Sequence, residues 1–149
     1  MVCSMSIVLK KVEEFDEFEK LFHNVNGFDD CFWEELMIKE SFDSKDTIIV
    51  VATSDRKPVG LIEIIYNEDE DNVEINRLEI QEDVRRKGYG REIVNELRKN
   101  IDESILIFGY SVAEAVDFWR YVSSYFDEEI YDAIVEEDYD SDFLMHFEI

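Results

Sequence analysis

Residues 73–91 read VEINRLEIQEDVRRKGYGR, and two features of this stretch decide how the chain is built. The first is a slip in parity. Val73 and Ile75 share one parity, whereas Leu78 and Ile80 share the other. Side chains alternate faces along a strand, so the apolar face shifts by one residue near Arg77. Two readings account for the shift: a β-bulge, which is common beside binding sites, or a strand buried on both faces. The second feature is VRRKGYGR itself, lying between this strand and a helical pattern. Gly88 and Gly90 let the backbone approach a ligand closely. The unpaired N–H groups of a first helical turn attract an anion, and Arg85, Arg86, Lys87 and Arg91 add cationic charge. A diphosphate suits such a site. It is not a Walker loop, because G-x-x-x-x-G-K-[ST] is absent. Nor is it G-x-G-x-x-G, because Gly90 is followed by Arg91, Glu92 and Ile93.

This basic turn runs against the rest of the chain. The 149 residues hold 15 Lys plus Arg against 38 Asp plus Glu, a net charge of 15 − 38 = −23. Seven of the cations fall between Arg77 and Lys99, and none follows Arg120, where ten Asp or Glu are found. Such a surface repels phosphate backbones, which argues against nucleic acid as a partner. A 46% hydrophobic, 13% aromatic composition argues against disorder. Cys3 and Cys31 fit neither a metal spacing nor a disulfide framework and read as free thiols. The N-terminus lacks the pattern of a secretory leader, and no apolar run reaches the ~20 residues of a membrane span. The expectation is a soluble, cytoplasmic protein forming one domain over residues 1–149, monomeric or homodimeric.

Working outward, a short strand at Ser6–Leu9 precedes EEFDEFEKLF, where Phe15, Phe18 and Phe22 have helical spacing. A turn-rich stretch, 24–30, leads to a second helix in CFWEELMIKE. Strands follow at Thr47–Thr53 and Val59–Tyr66, joined by the SDRKP turn, and NEDEDN leads into the strand at 73–80. Beyond the basic turn, Ile93, Val94 and Leu97 share one helical face, and Ser104–Tyr110 reads as a buried strand. Ser111 and Glu114 have capping-box spacing ahead of the helix AEAVDFWRYV. Two weaker strands are expected around Ile130–Val135 and Phe143–Ile149. The order β-α-α-β-β-β-α-β-α-β-β predicts a mixed α/β fold, an antiparallel meander followed by a crossover helix.

Residues 78–90 follow L-x-I-x-x-x-x-R-x-x-G-x-G. This resembles the acyl-CoA signature of the GNAT N-acetyltransferase superfamily, and the order of elements resembles that fold over nearly the whole chain. The resemblance implies a central mixed sheet, with a four-strand meander, three further strands, flanking helices and a splayed, bulged fourth strand. It implies acetyl-CoA as co-substrate and transfer of its acetyl group to a primary amine of a small molecule or peptide. The main chain of Leu78, Glu79 and Ile80 would then hold the pantetheine arm. Arg85, Arg86, Lys87, Gly88, Tyr89 and Gly90 would wrap the diphosphate, with Arg91 in the first helical turn. Glu74, 14 residues before Gly88, resembles the base position of one branch of the family; otherwise it is the polar face of a half-buried strand.

A second family signature matches only at Ala115, Phe118 and Trp119. Val112 stands at its asparagine, and Ser123 and Ser124 replace Gly-Phe. Trp119 occupies a common position for the tyrosine that protonates the leaving thiolate, and an indole N–H cannot do so near neutral pH. On the resemblance Trp119 packs beside the thioester. These departures leave open a CoA-binding module without turnover, acting as a sensor or acidic interaction protein. No metal site is expected. His23 and His146 lack ligand-spaced partners, and Asp138, Asp140 and Asp142 imitate half a calcium loop with Phe143 where glycine is needed. The acidic end of the chain, which the resemblance puts on the acceptor side, favours a cationic amine through its field.

Overall fold

The structure is a computed structural model and describes residues 6–28, 35–111, 115–127 and 145–149. Strand β1 (Val8–Val12) is followed by helices α1 (Phe15–Phe22) and α2 (Glu35–Asp43), then β2 (Thr47–Ser54), β3 (Lys57–Asn67) and β4 (Asn72–Ile80). Helix α3 (Tyr89–Lys99), β5 (Leu106–Ser111), α4 (Val116–Val122), β6 (Tyr125–Phe126) and β7 (Met145–Glu148) complete the order. Seven strands form one sheet in the order β1-β2-β3-β4-β5-β7-β6. The β2–β3 hairpin turns on Asp55 and Arg56, at φ 51° and 66°, the paired left-handed conformation that matches strand twist in two-residue turns. The crossover through α3 makes β4 and β5 the parallel pair. No helix among the described residues is long and apolar enough to cross a membrane.

The sheet separates two cores. Phe18 and Phe22 of α1 and Phe28 pack with Val12, Ile49, Val51 and Leu61 on one face. Ile93, Val94 and Leu97 of α3 and Val116 and Trp119 of α4 pack with Ile62, Ile64, Val73, Ile75, Ile107 and Phe147 on the other. Each large side chain removed from water contributes roughly 1.5–3 kcal/mol. At the far end of α3, the Arg98 guanidinium donates to the main-chain oxygens of Ile101, Asp102 and Ile105. There Asp102 accepts the Ser104 main-chain N–H and hydroxyl. The main-chain bond, then the hydroxyl, hold its carboxyl below the usual range.

The parity slip proves to be a bulge. Ile75 pairs with Ile64 and Arg77 with Glu63, so Asn76 is an extra residue with no cross-strand partner. Leu78 and Ile80 thereby return to the face of Val73 and Ile75 and pack with the same core. Pairing with β5 runs only from Asn72↔Leu106 to Ile75↔Gly109, so the two parallel strands part at the bulge. Gly109 sits at this fork because nothing larger fits. A Cβ there would lie 2.5 Å from Cζ of Phe147 and 3.1 Å from the Ile75 oxygen.

Several sequence expectations shift. The first strand begins and ends later, at Val8–Val12. Ser111 ends β5 and Ala115 is the N-cap of α4, while Glu114, the other half of the expected capping box, lies outside the described residues. The two-residue β6 was not anticipated, while Ile130–Val135, Cys3, Cys31 and Asp138–Asp142 lie outside the described residues. Gly109→Ala should destabilise the fold by about 1–3 kcal/mol through overpacking. Urea denaturation should show this as a lower midpoint with an unchanged slope.

Candidate active site

Where β4 and β5 diverge, a cleft of about 800 Å³ opens. One wall is Leu78, Glu79 and Ile80, whose β5-facing edge has no strand beside it. The other wall is Ala115, Phe118 and Tyr121, at helical spacing on α4. Val84, Arg85, Arg86, Gly88, Gly90 and Arg91 close the end. Gly88, at φ 86°, is the N-cap of α3, and Arg86 is also left-handed at φ 64°. These reversals bring the loop round so that the first N–H groups of α3 point into an arc of arginines. A helix N-terminus carries roughly half a positive charge, and the arc deepens that potential. Gly90 lets the first turn of α3 pass close to α4, since a Cβ would lie 2.9 Å from Cε2 of Phe118.

Not every cation of the loop is placed alike. Arg85 folds back on β4, donating through Nε to the Ile80 oxygen (2.9 Å) and through Nη2 to Glu79 Oε1 (2.7 Å). It braces the strand edge. Arg91 donates through Nη1 to the Tyr121 hydroxyl (3.0 Å) across the cleft, and its guanidinium lies 5.6 Å from that ring. Of the residues expected at the cofactor, Leu78, Glu79, Ile80, Arg85, Arg86, Gly88, Gly90 and Arg91 line the cleft. Lys87 lies in the loop and Tyr89 opens α3, and neither belongs to that lining. Trp119 is nearly buried and stacks on Phe147 at 4.1 Å and 11°, turned into the core. Tyr121, which matches no motif position, takes the place on the cleft wall.

The opposite sheet face carries acids. Glu74 pairs with Ile65 and Phe108, which puts it on the face of Glu63 and away from the cofactor-side core. Glu63 is buried, and its carboxylate accepts bonds from Ser41 Oγ of α2 (2.9 Å) and from Nδ2 of the bulge residue Asn76. Buried charge is costly unless hydrogen-bonded, and these two donors tie α2, β3 and the bulge together. Farther along the same face, His146 Nε2 lies 2.9 Å from Glu148 Oε2. Sequence reasoning missed Glu63, Asn76 and the His146–Glu148 pair. A lone acid in the apolar run LIEIIY, and the i, i+2 spacing of 146 and 148 in a strand, were the available signals. The connection after α1 reaches the site as well. Gln81 Nε2 donates to the Asn26 oxygen (3.0 Å), and Glu82 N–H to the Gly27 oxygen (2.7 Å).

A strand edge left open beside a cation-ringed helix N-terminus is the arrangement of an acyl-CoA-binding fold. The family model described as the acetyltransferase (GNAT) family matches residues 12–120. The chain belongs to that family and is an acetyl-CoA-dependent acetyltransferase. No curated protein sequence matches it. Solved structures share its fold at low identity. An acetyltransferase from Thermus thermophilus superposes with a TM-score of 0.66 at 12% identity, covering 95% of this chain and 96% of that one. The PaiA N-acetyltransferase from Thermoplasma acidophilum, in complex with coenzyme A, gives 0.60 at 15%, covering 95% and 98%. Tetrahymena GCN5 gives 0.61 at 16%, covering 99% and 96%. The expected fold class is the one observed.

Gly88→Glu tests the anion site. It forces a side chain into a left-handed position and sets a carboxylate at the α3 N-terminus, where an anion would be repelled. Titration calorimetry should show CoA affinity falling at least a hundredfold, about 2.7 kcal/mol, with the circular dichroism of the parent retained.

Proposed function

We propose that the protein acetylates a primary amine on a cationic acceptor by direct attack within a ternary complex. The open edge of Leu78–Ile80 beside the α3 N-terminus carries this reading, because it offers one extended main-chain segment and one anion site in line. The main chain of Leu78, Glu79 and Ile80 holds the pantetheine arm. Arg86, Lys87, Arg91 and the N–H groups from Gly88 onward hold the diphosphate, while Arg85 stiffens the strand edge through Glu79. A primary amine, with a pKa near ~10.4, reaches the site mostly as an ammonium ion. Glu74 takes that proton, directly or through water. The amine nitrogen then bonds to the acetyl carbon, the carbon–sulfur bond breaks, and the thiolate is protonated from water. Trp119 takes no part in that last step, since an indole is not an acid at neutral pH and its ring is packed on Phe147. Neither Cys3 nor Cys31 is near the motif in sequence, so no acetyl-cysteine forms.

The buried Trp119 favours one competing reading, a CoA-binding module without turnover. That module would bind CoA and release no free thiol with any amine, whereas the acetyltransferase releases thiol with at least one. The acceptor preference comes from charge. Ten acids and no Lys or Arg follow Arg120, and a negative field raises the local concentration of cations.

Two outcomes are expected. Glu74→Gln should lower kcat by about a hundredfold or more with CoA affinity unchanged, read by thiol release and calorimetry; an unchanged kcat removes Glu74 from proton transfer. Rising ionic strength should weaken the apparent affinity for a polycationic amine more than that for a monoamine.

A further inference from the structure

On the face of the sheet opposite α3 and α4, the described helices α1 and α2 pack over β1 to β3. The β4–β5–β7–β6 part of that face carries a patterned set of side chains. Strand register sets Glu74, Phe108, Glu148 and Tyr125 in one cross-strand row, and Tyr110 and His146 in the next. Tyr110, on an inner strand, and Tyr125, on the edge strand β6, are 49% and 53% exposed. Three rings surround His146. Its centroid lies 5.5 Å from Tyr110, 5.9 Å from Phe108 and 6.1 Å from Tyr125. The imidazole is held by Glu148 at 2.9 Å. Among the described residues, neither Glu74 nor Glu148 forms an ion pair with a lysine or arginine.

Aromatic faces around a carboxylate attract an alkylammonium group, because the ring quadrupole and the acid both favour positive charge. The contact with His146 fixes the direction of the Glu148 carboxylate. The patch begins at the fork. Ile75↔Gly109 is the last β4–β5 pair, and Tyr110 is the next residue. From β4, where the thioester is held, to β7 is two strand spacings, about 10 Å.

We infer that this patch is the subsite for the second ammonium group of an acceptor diamine, whose first nitrogen is acetylated at the fork. The inference rests on the acetyl-transfer reading for the first nitrogen but not for the binding of the second. Chain length and charge count, rather than bulk, then select the acceptor. A spacer of about seven carbons, which spans those ~10 Å, lets one nitrogen stand over β4 while the other sits among Tyr110, Tyr125, His146 and Glu148.

The experiment is calorimetry at pH 8 on the full chain, with and without saturating CoA. It compares 1,7-diaminoheptane with heptylamine, which has the same carbon chain and one charge fewer. The diamine should bind at least tenfold more tightly. Glu148→Gln and Tyr125→Ala, both at exposed or half-exposed positions, should each remove most of that advantage and leave CoA affinity within twofold. Equal binding of the two amines, or an advantage that survives both substitutions, overturns the subsite. A parallel thiol-release assay separates the two ideas. A diamine preference without thiol release removes acetyl transfer and keeps the subsite, whereas thiol release without the preference does the reverse.

Discussion

Everything at the site depends on one extra residue. Asn76 has no cross-strand partner, and the strand that contains it must both stay paired with β3 and leave β5. The bulge reconciles these demands. It returns Leu78 and Ile80 to the face already occupied by Val73 and Ile75, so the core stays continuous through the irregularity. It also changes the twist where β4 parts from β5. Glu63 secures the arrangement by accepting the Asn76 amide on one oxygen and the Ser41 hydroxyl on the other. On the β5 side, Phe147 presses against Gly109 so closely that only glycine fits. The cleft is thus a built feature with rigid walls on both sides.

The electrostatics divide along the same sheet. A chain of net charge −23 binds an anion only where local geometry overrules the average field. At the proposed site the loop after β4 would do this with three devices acting at short range: the α3 N-terminus, the arginines that line the cleft, and backbone reversals at Arg86 and Gly88. Partial charges count most within a few ångströms, and the distant acids are screened beyond about 8–10 Å. Arg85 is tied to Glu79, so part of the loop's charge is used to hold the strand edge.

On the proposed acetyl-transfer reading, the other face meets the opposite requirement. An amine arrives as a cation and must lose a proton before attack, so carboxylates belong where it enters. Glu74, Glu63 and Glu148 all point to that face, while Val73, Ile75, Ile107 and Phe147 between them point to the core. Period-two alternation therefore does chemical sorting. One set of strands gives an apolar floor to the cofactor-side core and an acidic, aromatic surface on the other side.

What the sequence by itself determined was local. The parity slip between Val73–Ile75 and Leu78–Ile80, the basic turn ending in Gly88 and Gly90, and the apolar face of Ile93, Val94 and Leu97 are each contained within a short run of neighbouring residues. Strand and helix periodicity suffice to read them. The tertiary structure decided between a bulge and a doubly buried strand, because that depends on which β3 residue faces which β4 residue. It turned Trp119 onto Phe147 and put Tyr121 on the cleft wall, a consequence of where α4 starts. It also gathered Glu74, Phe108, Glu148 and Tyr125 into one row, although Glu74 and Glu148 are 74 residues apart in the chain. Such a row arises from strand order and register, and both are settled by the burial of all seven strands together. No single segment carries that information.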